Sequence, residues 1–238
     1  MGAKGSLKSL KDIFTDILYS ISDFIYPGFC PLCGDRTDLD LLCGSCAEGL
    51  VKEFSQLRFN KNRDFPNLDE NAYFDQCICG WNYTENVKKI ISLMKYKGQE
   101  SLCFFMGDIL GGYLKDVLSE FDIIVPVPLH PTRERERTYN QSRLIASAIK
   151  KQVPRLKLSQ ILIRKKYTKP QAGLDSKERQ DNVRDVFIFR KREDLAGKKV
   201  VIVDDVVTTG ATINNCAKVI KENGAAHVCC ISIARPLT

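Results

Sequence analysis

The chain has 238 residues, 44% hydrophobic and 27% charged, which excludes a disordered, collagenous or low-complexity protein because enough apolar surface exists to offset the entropy of ordering. Its 36 Lys and Arg against 29 Asp and Glu give a net charge of +7, and the surplus is local: residues 131–199 hold 20 basic and 8 acidic side chains. A stretch of that kind suits phosphate, carried by a small metabolite or by nucleic acid.

Ten cysteines in a chain of this length, with no export signal in the amino-terminal segment, argue against a secreted disulfide scaffold. No run approaches the ~18 apolar residues of a membrane span. The expectation is a soluble protein of a reducing cytoplasm, with thiols available for metal.

Residues 7–25 carry Leu7, Leu10, Phe14, Ile17, Leu18, Ile21, Phe24 and Ile25, mostly three or four apart, which predicts an amphipathic helix. It packs on its own protein, or it lies on a partner or on the inner face of a membrane. Tyr26-Pro27-Gly28 ends it. A cysteine-rich module follows to about Leu50, and the polar stretch 58–71 reads as a connector.

From Tyr73 onward strands alternate with helices. Strands are expected at Cys77–Tyr83, Ile123–Val127, Leu158–Ile163, Val186–Phe189, Val200–Val203 and His227–Ile233. Helices are expected at Glu85–Lys95, Leu102–Leu118, Gln141–Lys151, Ser176–Val183 and Ala211–Asn223. Gly107, Gly111 and Gly112 weaken the second of these helices. Alternation of this kind predicts an α/β fold with a mainly parallel sheet.

The four cysteines Cys30, Cys33, Cys43 and Cys46 form two C-x-x-C pairs separated by nine residues. Two residues between thiols let a tight turn aim both sulfurs at one point, and two such turns supply the four thiolates of a closed, structural zinc site. A redox pair needs only one C-x-x-C, and an iron–sulfur cluster also accepts four thiolates. A module of about 20 residues has no core of its own, so the metal would supply most of its stability. The other six cysteines lie in apolar patterns and read as buried packing residues. His130 and His227 stand alone and read as structural.

The most informative stretch is Val200–Thr212, VVIVDDVVTTGAT, followed by a helix. An apolar strand stops at Asp204 and Asp205, crosses a loop of small residues and enters a helix. In an open α/β sheet the ligand sits at the carboxyl ends of the strands. The loop of Thr208, Thr209, Gly210, Ala211 and Thr212 has backbone amides and hydroxyls for an anion, and the helix N-terminus favours negative charge. Carboxylates accept from vicinal sugar hydroxyls, so an anion cradle beside an acid pair describes a ribose 5-phosphate. Neither G-x-x-x-x-G-K-[ST] nor G-x-G-x-x-G occurs, which argues against a P-loop or dinucleotide fold.

This stretch resembles the 5-phosphoribosyl-1-diphosphate (PRPP) signature of type I phosphoribosyltransferases. Val125–Pro131 (VPVPLHP), Arg133–Ser142 (RERERTYNQS), Lys169–Leu174 with Glu178–Val183, Met94–Gly98 (MKYKG) and the four-cysteine module together resemble the ComF family, over about residues 24–235. The N-terminal amphipathic helix, over 1–26, lies outside the resemblance, which implies a zinc module over 27–54 and a phosphoribosyltransferase-like domain over 73–238. The resemblance also implies that Asp204 and Asp205 hold the ribose hydroxyls and that residues 208–212 hold the 5-phosphate. The loop of Pro126, Val127, Pro128 and Leu129 would bind pyrophosphate, directly or through Mg²⁺, with Arg133, Arg135 and Arg137 behind it. Residues 131–142 and 165–182 are the candidates for a mobile basic loop that closes over PRPP.

ComF proteins are associated with natural transformation, which implies incoming single-stranded DNA in the cytoplasm, with a competence helicase or membrane DNA-channel proteins as partners. Tyr139, Arg164, Lys165, Lys166 and Tyr167 interleave rings with positive charge, the pattern that holds single strands. The alternating Arg and Glu of 133–137 also read as a solvated helix turn with internal ion pairs, and Arg164–Tyr167 as a plain surface loop. Two other functions fit the PRPP signature: salvage of a nucleobase or nucleotide, and a non-catalytic single-strand-binding adaptor with a PRPP-sensing pocket. Nothing in the sequence identifies an acceptor or a general base.

Overall fold

The structure, a computed structural model, describes residues 28–37, 41–59, 64–65, 72–165, 186–190 and 193–236. The helices expected over 7–25 and Ser176–Val183, most of the expected connector, and Lys166 and Tyr167 lie outside the described residues. Two compact units divide the chain, Met1–Lys52 and Glu53–Thr238. Among the described residues no helix is long and apolar enough to cross a membrane.

In the first unit, β1 (Gly28–Phe29) and β2 (Arg36–Thr37) pair antiparallel, and α1 (Gly44–Lys52) follows. The turn between the strands is closed by Gly34 N–H donating to the Cys30 carbonyl, 2.8 Å. Gly34 has φ +85°, a conformation that a residue with a Cβ adopts only under strain.

The second unit is built on a six-stranded sheet. Its strands are β3 (Leu57–Phe59), β4 (Gln76–Asn82), β5 (Ile123–Pro126), β6 (Lys157–Leu158), β9 (Lys199–Val206) and β10 (His227–Arg235), in the order β3-β4-β10-β9-β5-β6. All pairings are parallel except β3 with β4. A separate antiparallel pair joins β7 (Leu162–Arg164) to β8 (Phe187–Phe189). The helices are α2 (Glu85–Tyr96), α3 (Glu100–Tyr113), the short α4 (Lys115–Leu118), α5 (Pro131–Arg137), α6 (Gln141–Gln152) and α7 (Ala211–Glu222).

Four differences from the expected elements have physical reasons. Arg58 and Phe59 belong to β3, because the backbone opposite β4 offers a ladder that polarity alone does not reveal. The strand expected at Leu158–Ile163 is two strands: β6 pairs with β5, and β7 turns away to pair with β8. β9 does not stop at the acids; Asp204 pairs with Ser232 and Val206 with Ala234, so both carboxylates leave from a fixed strand. Residues 131–137, a candidate for a mobile loop or for a solvated helix turn, form a helix, with Pro131 in its first turn and His130 Nδ1 accepting from Thr132 N–H, 3.2 Å.

Val200 and Ile202 of β9 join Val228 and Cys230 of β10 in a core with Ile213, Cys216 and Ile220 of α7. The alternate residues Val201 and Val203 point to the face that α6 covers. On that side α3 packs on α6, and two of the glycines that weaken α3 are what permits it. A Cβ on Gly107 would lie 2.7 Å from the Ala148 Cβ, and one on Gly111 would lie 2.9 Å from the Gln152 Cβ. Gly112 faces open space. The six scattered cysteines, Cys77, Cys79, Cys103, Cys216, Cys229 and Cys230, are fully buried, as the apolar pattern predicts. His227 Nδ1 lies 3.4 Å from Asp75, which also pairs with Lys221 at 2.8 Å.

Candidate functional site

The chain leaves β5 outward to β6, then returns to β9 and proceeds the other way to β10. The carboxyl ends of β5 and β9 therefore border a topological switch point, the place where an open α/β sheet opens a crevice for ligand. Val127 N–H donates to the Val203 carbonyl at 2.9 Å, so the loops after the two strands start side by side.

Asp204 and Asp205 stand at this point. Asp204 Oδ1 accepts from Ser142 Oγ at 3.0 Å and from the Asp205 amide at 2.9 Å. Burial, and then the neighbouring charge of Asp205, push the Asp204 carboxyl up to about 7. Asp205 is buried and forms a 2.8 Å ion pair with Lys95 Nζ from α2. Burial acts to lower the Lys95 ammonium, but the charge and hydrogen bond of Asp205, with the charge of Asp204, together outweigh it and raise the group.

Beyond the acids, residues Val206–Ile213 line a small pocket with Asp204. Thr208 and Thr209 are exposed, Gly210 is buried, and Ala211 and Thr212 are partly exposed. Gly210 caps α7 at φ +79° and provides no side chain to satisfy the helix amides. The first turn of α7 therefore faces this pocket with the positive end of its dipole.

The second rim is the segment after β5. Pro126 is paired in the sheet against Val203, while Pro128 and Leu129 are partly exposed. Asn140 fixes the segment: its Nδ2 donates to the Val127 carbonyl, and its Oδ1 accepts from Arg143 N–H at the start of α6. Arg133 and Arg137, one helical turn apart, line a cleft of about 730 Å³ with Lys95, Tyr96, Gly98, Glu136 and Thr138. The Arg137 guanidinium lies 5.4 Å from the centre of the Tyr96 ring and donates to Gln141 Oε1. Arg135 is exposed and does not line this cleft, since residues two apart point to different sides of a helix. Thr138 closes the helix at φ +67°, a strained conformation for a β-branched residue.

Tyr139 corrects an expectation. Its side chain is buried and its hydroxyl donates to the Met94 carbonyl, so it has no open face on which a base could stack. Burial pushes its phenol up to about 12. Arg164 is partly buried on β7, with its guanidinium 5.6 Å from the Phe187 ring, and Lys165 is exposed. Sequence reasoning missed Lys95 and Ser142 as neighbours of the acid pair, although the motif MKYKG held one and RERERTYNQS the other.

In the first unit the Sγ atoms of Cys30, Cys33, Cys43 and Cys46 all lie within 4.8 Å of one another, with Cys33 and Cys43 3.5 Å apart. Four sulfurs at about 2.3 Å from one tetrahedral zinc stand about 3.8 Å apart, so the cluster fits one ion, whereas several irons would spread it. Burial opposes ionisation of Cys30, but hydrogen bonds from the Cys33, Cys43 and Leu32 backbone bring its thiol down to about 6. Burial and the other three thiols push Cys46 up. A cation bound among the four sulfurs would stabilise all four as thiolates.

Residues 140–237 match the model of the phosphoribosyl transferase domain, which spans α6 through β10. Relatives extend over nearly the whole chain. DNA utilization protein YhgH of Salmonella typhi is 36% identical over 221 residues, covering 85% of this chain and 94% of that protein. Competence protein F of Haemophilus influenzae is 26% identical over 87% of this chain and 90% of its own length. Competence protein ComFC of Bacillus subtilis is 26% identical over 83% and 73%. With that coverage, the α/β domain and the four-cysteine cluster, the chain belongs to the ComF family of phosphoribosyltransferase-like proteins.

Proposed function

We propose that the protein binds PRPP, as its Mg²⁺ complex, in the crevice between β5 and β9, and acts as a phosphoribosyltransferase-like protein in handling incoming single-stranded DNA during natural transformation. The observation that carries the PRPP reading is the acid pair on β9 at the topological switch point, a short loop before a helix whose cap residue, Gly210, has no side chain. Asp204 and Asp205 accept the two ribose hydroxyls. Thr208–Thr212 cradle the 5-phosphate with backbone amides and hydroxyls. The diphosphate extends over Pro126–Leu129 toward Arg133 and Arg137, and Mg²⁺, when bound with it, would neutralise part of its charge.

Transfer from PRPP breaks the C1–O bond to pyrophosphate as an acceptor attacks C1. The residues of this chain would stabilise the departing charge with two guanidinium groups and hold the sugar in place; the acids, engaged with hydroxyls, take no proton. The link to DNA rests on the relatives, named for competence and DNA utilization, and on the cationic face of α5. The first unit would hold a structural zinc through Cys30, Cys33, Cys43 and Cys46.

Calorimetry with zinc-loaded protein, Mg²⁺ and PRPP tests the reading. Binding in the micromolar range, abolished by Asp204→Asn with Asp205→Asn, is the expected result. Absence of PRPP heat with folded wild-type protein overturns it. Pyrophosphate release screened against nucleobases, ammonia and single-stranded DNA then identifies the acceptor.

A further inference from the structure

The acid pair has a third member that comes from a different part of the chain. Lys95 sits at the carboxyl end of α2, about 110 residues before β9, and its ammonium lies 2.8 Å from Asp205 Oδ1 with only 21% of the side chain exposed. Its position is built rather than incidental. The carbonyl of Met94, the preceding residue, accepts hydrogen bonds from both Tyr139 and Gln141, which pins the end of α2 to the start of α6. A lysine is costly to bury unless its charge is used, and a hydrophobe of similar volume would fill the same space at lower cost.

We propose that Lys95 is a positioning residue for the ribose-binding acid pair, delivered by the Met94–Tyr139–Gln141 clamp to hold the Asp205 carboxylate in place and to offset the charge of the pair. The proposal deepens the PRPP reading and rests on it for its ligand. Two adjacent carboxylates in a buried crevice repel each other, and one fixed ammonium allows both to be charged when sugar hydroxyls arrive. The other groups near the pair do less. Ser142 donates a neutral hydrogen bond, and the thiols of Cys103, Cys216 and Cys230 are pushed up by burial and stay uncharged near neutrality. Arg164 is felt at Asp204, and Arg137 at Lys95, through space. Lys95 makes a direct ion pair with the acid pair, 2.8 Å from Asp205 Oδ1.

The test uses Lys95→Met and Lys95→Arg in the full-length, zinc-loaded protein. Lys95→Met is expected to weaken PRPP binding at least 30-fold at pH 7. Raising the pH to 9 should recover part of that loss, because the acids then ionise without help, and Lys95→Arg should restore affinity to within about fivefold of wild type. An equal loss at every pH with no rescue by arginine marks a merely structural role and overturns the proposal; so does unchanged affinity. A second readout needs no PRPP: carboxyl ¹³C resonances of Asp204 and Asp205, followed with pH in the free protein. The titration of the pair is expected to move upward by at least one pH unit in Lys95→Met and to stay near wild type in Lys95→Arg. An unmoved titration overturns the proposal even if PRPP binds, whereas a moved titration without PRPP binding leaves Lys95 in its role and removes the PRPP reading instead.

Discussion

The two rims of the crevice present positive electrostatic character by different means. After β9, the loop of residues 208–212 relies mainly on backbone and small hydroxyls: Gly210 caps α7 at φ +79° without a side chain, and the Thr209 hydroxyl accepts from the Ala211 amide. After β5, the segment 126–140 uses side chains: Arg133 and Arg137 on one face of a short helix that ends in strained Thr138. A backbone cradle has fixed geometry and suits a compact phosphate held in one orientation. Guanidinium groups on a seven-residue helix reach further and adapt, which suits a charge that must first bind and then leave.

Breaking the backbone rim should have the largest effect. Gly210→Val forces a β-branched residue into the left-handed region and puts a side chain where the anion would sit. PRPP affinity is expected to fall by at least about 100-fold, or ~2.7 kcal/mol, measured by calorimetry. A loss under tenfold would mean that the phosphate does not use this cradle.

The side-chain rim should divide. Arg133→Ala and Arg137→Ala are each expected to cost about tenfold in PRPP affinity and to reduce its salt dependence. Arg135→Ala, outside the cleft, should stay within about twofold. Equal effects at all three positions would show that net charge, rather than the cleft, attracts the ligand.

Between the rims, the acid pair should show the conflict between binding and stability. The Asp204 carboxyl is raised in the folded state from an ordinary 3.8 to about 7. Its contribution to stability is therefore fully present below about pH 4 and is lost as the pH rises through 7. Asp204→Asn, which keeps an acceptor for Ser142, should be more stable than wild type by about 1–2 kcal/mol at pH 8. The gain should vanish near pH 4 in denaturant titrations, and a gain that persists there would remove the charge explanation.

The smallest effect is expected at Thr138. Thr138→Gly relieves the φ +67° strain but loosens the unfolded chain, for a net gain of about 0.5 kcal/mol in thermal denaturation. PRPP affinity should fall about twofold as the arginines lose their fixed direction. A marked loss of stability would show that the Thr138 hydroxyl, which donates to the Arg137 carbonyl, matters more than its backbone.

Much of the site was legible because it is local. The strand, the acid pair, the loop and the helix of Val200–Asn223 lie within 24 residues, and their chemistry follows from residue type and order. The same holds for the cysteine pairs, where two residues of spacing predict a shared point and the sulfurs converge within 4.8 Å. Periodicity placed the helices Glu85–Tyr96, Gln141–Gln152 and Ala211–Glu222 within two residues at each end. Tyr139 was misread because interleaved rings and charges look alike whether a ring stacks outward or is buried with its hydroxyl bonded inward.

By itself, then, the sequence determined the alternating strands and helices of an α/β domain, the acid-pair loop after β9 and a four-thiol cluster earlier in the chain, since each pattern depends on neighbours within about 20 residues. Only the tertiary structure decided which distant groups complete the site. Lys95 meets Asp205 across 110 positions, and Ser142 meets Asp204 across 62. It also decided that Gly107 and Gly111 are required where α3 crosses α6, although helix propensity counts them as weak points. The reason is that a parallel sheet joins its strands by long crossovers, so the partners of a residue at a strand end are set by strand order and helix packing, which no local pattern records.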